Sequence, residues 1–157
     1  MTLTDNKITN IPEHLWDCTN LKSLDLGENE ISSLSESISK LSKLKELYLY
    51  DNKLTFLPDS LGKLQKLETC NAQDNKLENL PQDLNLPNLE TLMLSCNLLE
   101  TFPDSLSKSI KLEHIEIEDN KFTELPLFLK ELPRLYSISL ENNPIKKIPD
   151  WAKKFTW

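Results

Sequence analysis

The sequence predicts an α/β solenoid of about seven stacked coils, with a parallel sheet on the concave face and short helical or 3-10 segments on the convex face. Three observations predict it. Asparagine recurs at Asn6, Asn29, Asn52, Asn75, Asn97, Asn120 and Asn143, and subtracting successive positions gives intervals of 23, 23, 23, 22, 23 and 23 residues. Apolar residues keep a fixed register to each asparagine. Around Asn52 they are Leu44, Leu47, Leu49, Leu54, Leu57, Leu61 and Leu64, and Leu67 restarts the series. Within each unit, pairs such as Leu47 and Leu49 stand two apart, the spacing that sends both side chains of a strand to one side. A period of this length marks a stacked array, in which each unit buries its apolar edge against its neighbours.

The same spacing assigns the other residues. Glu46, Tyr48 and Tyr50 alternate with Leu47 and Leu49 and so face solvent. Asn52 falls where the chain turns inward after the strand. Its amide both donates and accepts, so a column of such residues can satisfy backbone groups left unpaired by the turns. A buried asparagine ladder is therefore expected.

These residues resemble the leucine-rich repeat family in the form LxxLxLxxNxLxxLPxxLxxLxxL, over essentially the whole chain. The match is to the intracellular, Ras-group-like subclass, through the apolar–proline pairs Ile11-Pro12, Leu57-Pro58, Leu80-Pro81, Phe102-Pro103, Leu125-Pro126 and Ile148-Pro149. Leu34-Ser35 departs from it. The resemblance implies a right-handed leucine-rich-repeat horseshoe, with residues 1–157 forming a single domain. Residues 1–20 would be a truncated first repeat and 144–157 a C-terminal closing segment. Function follows less directly, because this fold hosts many unrelated binding roles.

Along the chain, the first coil has only Met1 and Thr2 before Leu3. Its strand edge is expected to be open unless a longer array, a partner or a second copy covers it. The second coil, with its SSLSESISK stretch, keeps Leu34, Ile38 and Leu41 and predicts a short convex helical turn. In the third, Pro58 opens a brief helix or 3-10 turn, where its missing N–H costs nothing. The fourth carries Cys70 and Ala72 at leucine positions and is one residue shorter, between Leu84 and Leu86, which should tighten it and alter local curvature. The fifth places Ser109-Ile110 so that an apolar position shifts by one residue, and the sixth is regular. In the last, Ala152 and Phe155 fill convex core positions and Trp151 meets Phe155 four residues away, closing the end of the core.

Composition narrows the setting. A formal net charge of −7 disfavours nucleic acid and anionic membrane surfaces as partners. No stretch approaches the ~18 apolar residues of a membrane span, and MTLTDNKITN lacks the pattern of a signal peptide. Cys18 and Cys70 fall on core positions and Cys96 near a strand end, an odd set without paired spacing. The expectation is a cytoplasmic protein, or one delivered into a host cytosol without a classical signal peptide.

Catalytic chemistry finds no constellation. His14 and His114 are far apart in sequence, Gly27 and Gly62 are the two glycines, and no metal-ligand spacing occurs. Neither a cofactor nor enzymatic activity is expected. The sheet face remains. Tyr48, Tyr50 and Met93 are large side chains there, amid Asp25, Asp51, Gln73, Asp74, His114, Glu116 and Glu118. Tyrosine is a favoured interface anchor, and the acidic surround suits a protein partner with a basic rim. These ten residues are the candidate partner-binding set of a non-catalytic interaction module. The resemblance implies scaffolding or regulation of a signalling or ubiquitin-pathway protein, and compact arrays of this kind also serve bacterial effectors inside host cells. The alternative is a substrate-recognition arm of a larger enzyme whose catalytic domain is absent. A monomer is expected, with self-association through the open edge as a further alternative.

Overall fold

Each coil repeats one plan because each repeats one set of side chains. A computed structural model describes residues 1–155, so Thr156 and Trp157 of the expected closing segment lie outside the described residues. Six three-residue strands form one parallel sheet in sequence order: β1 (Ser23–Asp25), β2 (Glu46–Tyr48), β3 (Thr69–Asn71), β4 (Thr91–Met93), β5 (His114–Glu116) and β6 (Ser137–Ser139). The register advances by one repeat per strand, so Leu24, Leu47, Cys70, Leu92, Ile115 and Ile138 are successive partners. All six point into the core. The first coil contributes a single bridge, Thr2 to Asp25, rather than a seventh strand.

The asparagine ladder is present. Asn52 Nδ2 donates to the carbonyls of Leu49 and Tyr50 within its turn and of Leu26 in the preceding coil, while its Oδ1 accepts from Ile31 N–H at 2.9 Å. Asn75, Asn97, Asn120 and Asn143 repeat the arrangement. One amide thus satisfies backbone groups of two coils at once.

On the opposite side, 3-10 turns occupy Glu13–Asp17, Glu36–Lys40, Asp59–Lys63, Asp104–Lys108, Leu127–Glu131 and Asp150–Lys154. Proline precedes five of them with extended backbone: Pro12, Pro58, Pro103, Pro126 and Pro149. Where Ser35 replaces proline, its Oγ accepts from Ser37 N–H at 3.2 Å and caps the turn instead. Glu36 then reaches the next coil, its carboxylate accepting from Asp59 N–H and Ser60 N–H at 3.1 and 2.8 Å.

The fourth coil has no 3-10 turn. Its shortened segment donates hydrogen bonds to the fifth coil, from Leu84 N–H to Ser105 Oγ at 2.8 Å and from Leu86 N–H to Ser109 Oγ at 3.4 Å. This corrects the expected shift at Ser109-Ile110. Ser109 is wholly buried in the core position and Ile110 is 57% exposed. A serine serves there because it answers an N–H that the shortened coil leaves open. Gly62 reflects the same crowding, since a Cβ on it would stand 2.0 Å from the Asp83 carbonyl oxygen.

The core is one continuous column. Trp16, outside the leucine frame, is fully buried in it. Cys18, expected to be buried, is exposed. In the first coil Leu15 is buried, but Leu3, Ile8 and Ile11 are, like Cys18, incompletely covered by a neighbour on one side alone. At the other end Ala152 and Phe155 are buried, and the Trp151 ring meets Phe155 edge-on at 6.2 Å.

Candidate functional site

The sheet face is built from the residues that alternate with the core leucines. Register sets Tyr48 of β2 directly between Asp25 of β1 and Asn71 of β3. Tyr50, two residues on, lies over Gly27. A Cβ on that glycine would meet the ring carbons at 2.4 Å, so the bare backbone is the ring's seat. Both tyrosines are half-buried. Burial first, then Glu46 and Asp25, raise the Tyr48 phenol pKa; burial, Asp25 and Glu28 raise that of Tyr50, against a smaller opposing effect of the Thr4 hydroxyl. Both phenols therefore remain protonated donors at neutral pH. Asp25 is itself held, its Oδ1 accepting from Gly27 N–H at 3.0 Å.

Met93 of β4, also half-buried, stands between Asn71 of β3 and Glu116 of β5, on the polar side of the face. There Gln73 Nε2 donates to Glu116 Oε2 at 2.6 Å, and the other carboxylate oxygen lies 2.7 Å from His114 Nε2. The three side chains span from beyond β3 to β5. Glu118 accepts a hydrogen bond from the Ser95 hydroxyl. The ten candidate residues thus share one face but form two groups rather than one cluster. Asp51 and Asp74 are exposed at its border, in left-handed backbone with φ of 49° and 52°. That conformation favours Asp and Asn whatever binds nearby.

The acidity expected around the tyrosines extends over the whole face. Ten carboxylates line the four solvent-facing columns: Asp5, Asp25, Glu28, Glu46, Asp51, Asp74, Glu116, Glu118, Asp119 and Glu141. None of the chain's 18 lysines and arginines falls there. The lysine pairs lie elsewhere, as in Lys40–Asp17, Lys45–Glu68 and Lys53–Glu30, and each joins neighbouring coils. The face is a sheet of uncompensated negative charge around two tyrosines.

Its chemistry suits recognition. Among the described residues no group of three or more His, Cys, Asp or Glu is placed to hold a metal ion. Cys96 is exposed beside the face, but burial, Asp74 and Asp119 push its thiol pKa up, the reverse of what a nucleophile needs. Cys70 is buried and pushed to about 12.

The leucine-rich repeat region family matches residues 1–156. The chain belongs to the leucine-rich repeat family. Among solved structures, this leucine-rich repeat protein is similar to one of Leptospira interrogans, at 28% identity and a TM-score of 0.90 over 95% of this chain and 38% of that one. It is also similar to the functional domain of InlJ from Listeria monocytogenes, at 25% identity and a TM-score of 0.77, over 93% of this chain and 30% of that one. It therefore spans about a third of the length of each. No curated protein matches its sequence. The Listeria domain is described as including a cysteine ladder. Here the stacked polar column is asparagine, and Cys18, Cys70 and Cys96 occupy three different frame positions.

Proposed function

We propose that this leucine-rich repeat protein is a non-catalytic interaction module that grips a basic protein surface with its concave sheet face. The observation that carries this reading is the segregation of charge: ten carboxylates and no lysine or arginine on a face that also presents Tyr48, Tyr50 and Met93. A fold needing only solubility has no reason to gather like charges on one side, where they repel. Tyr50 is held over Gly27 before any partner arrives, which lowers the entropic cost of using it. The acidic field accelerates encounter with a basic partner, and the aromatic centre holds it. The two solved structures named above come from bacteria, which supports a bacterial origin, and an effector acting on a host signalling or ubiquitin-pathway protein in the cytosol is the setting proposed.

The test is a cross-linked pull-down from eukaryotic and bacterial lysates, at low and high salt, with the native chain and with Tyr48→Ala/Met93→Ala. These two side chains are half-buried and make no hydrogen bond among the described residues, so their loss should leave the fold intact. The expected result is a protein captured at low salt, released at high salt and lost in the double variant. Capture indifferent to both salt and the variant sinks the reading.

A further inference from the structure

A second recess lies on the other side of the coils, and the sheet face plays no part in it. Losing one residue and its 3-10 turn, the fourth coil sits between two neighbours that keep theirs, Asp59–Lys63 and Asp104–Lys108. Two clefts of about 380 and 280 Å³ flank it. Both are lined by Asn79, Leu80 and Gln82, so the fourth coil is their shared wall and the two open side by side as a two-part groove along the third, fourth and fifth coils. Its apolar wall is Phe56, 52% exposed although the fold has no use for an aromatic ring there.

The polar groups specify what fits. In the column directly after the apolar–proline pairs, the neighbouring coils carry Asp59 and Asp104, while the fourth carries neutral Gln82. Among the described residues neither aspartate has a lysine or arginine within ion-pair distance. The Asn79 and Gln82 amides make no hydrogen bond within the described residues, although each offers donors and an acceptor to a passing backbone. The groove thus has a neutral, partly apolar middle, free amides beside it, Asp59 with Glu36 at one end and Asp104 at the other.

We propose that this groove binds an extended peptide segment of a partner, with an aliphatic or prolyl side chain at its centre and a lysine or arginine on either side. Such a segment carries its own order, pairs its backbone with the two amides and sets its cations against Asp59 and Asp104.

The probe is a short capped peptide, Lys-Pro-Leu-Pro-Lys, titrated into the isotopically labelled full chain and followed by NMR. Its Glu-flanked counterpart serves as the control. The expected shifts fall on the backbone of Phe56 and Asp104 and the side-chain amides of Asn79 and Gln82, with at least tenfold weaker binding of the acidic peptide. Phe56→Ser and Gln82→Lys, both at exposed positions, should each weaken binding of the basic peptide at least tenfold, and Tyr48→Ala should leave it unchanged. No shift with the basic peptide, equal binding of the acidic one, or shifts confined to the sheet face would overturn the proposal.

Discussion

Asp5, Glu28, Asp51, Asp74, Cys96, Asp119 and Asn142 share a backbone conformation that ordinary side chains avoid, with φ between 49° and 57°. Each immediately precedes a ladder asparagine, and the left-handed twist is what swings that amide inward. Asp and Asn tolerate the conformation best, which explains five of the seven. Cys96 and Glu28 are the exceptions, so Cys96→Asn should stabilise the chain by up to ~1 kcal/mol in urea unfolding. Loss of stability there would mean that the thiol makes a contact worth more than the backbone relief. At the next position, Asn75→Ala should cost ~1–3 kcal/mol, because the buried N–H of Leu54 loses its partner and the carbonyls of Ala72, Gln73 and Leu49 each lose one of their donors. The asparagines were legible in the sequence because their register is rigid. The left-handed column was visible too, but its aspartates resemble surface charge, and only the dihedrals separate a conformational requirement from an electrostatic one.

Among elements, the third, fourth and fifth coils form a unit that no single repeat explains. Gly62 must be small for the third coil to accept the Asp83 carbonyl, so Gly62→Ala should destabilise by ~1–3 kcal/mol through forced displacement. Ser109→Leu restores the consensus residue and should nevertheless cost ~1–3 kcal/mol, since Leu86 N–H is then buried without a partner. A gain in melting temperature would show that the consensus outranks the local hydrogen bond. Glu36 links the second coil to the third, and its pKa lies below the usual 4.5 because of hydrogen bonds from Ser60, chiefly, and Asp59. The sign follows: a depressed carboxylate stabilises the fold fully above about 4.5, and that contribution disappears as pH falls through the folded-state value. Glu36→Gln should therefore lower stability at neutral pH and change little in acid, which flattens the acid limb of the stability profile. The one-residue deletion could be counted in the sequence. Its repair could not, because Ser105 and Ser109 lie in a different repeat from the N–H groups they serve.

For the whole molecule, charge and stacking point in opposite directions. Coils bind their neighbours through leucine and asparagine, while the sheet face accumulates carboxylates that repel across several strands at once. The chain should consequently become more stable as salt rises from about 0.01 to 0.15 M, where the screening length falls from ~30 to ~8 Å. A fall in melting temperature over that range would mean that the exposed lysine pairs outweigh the repulsion. The solenoid was legible from the first two repeats onward, because a period fixes both fold and register. The two-part division of the face was not, since the contact between Gln73 and Glu116 bridges residues 43 apart that only the stacked sheet brings together.

The hydroxyls of Ser105 and Ser109 have a consequence for anyone wishing to lengthen this array. The third coil keeps its 3-10 turn, but Glu36 of the second coil holds the N–H groups of Asp59 and Ser60, so it is a candidate for copying together with the second. The fourth cannot be moved alone, because the groups that complete it belong to the coil that follows. It is transferable only as half of a pair, and a library built by shuffling single repeats of this protein should recover the fourth and fifth together or neither.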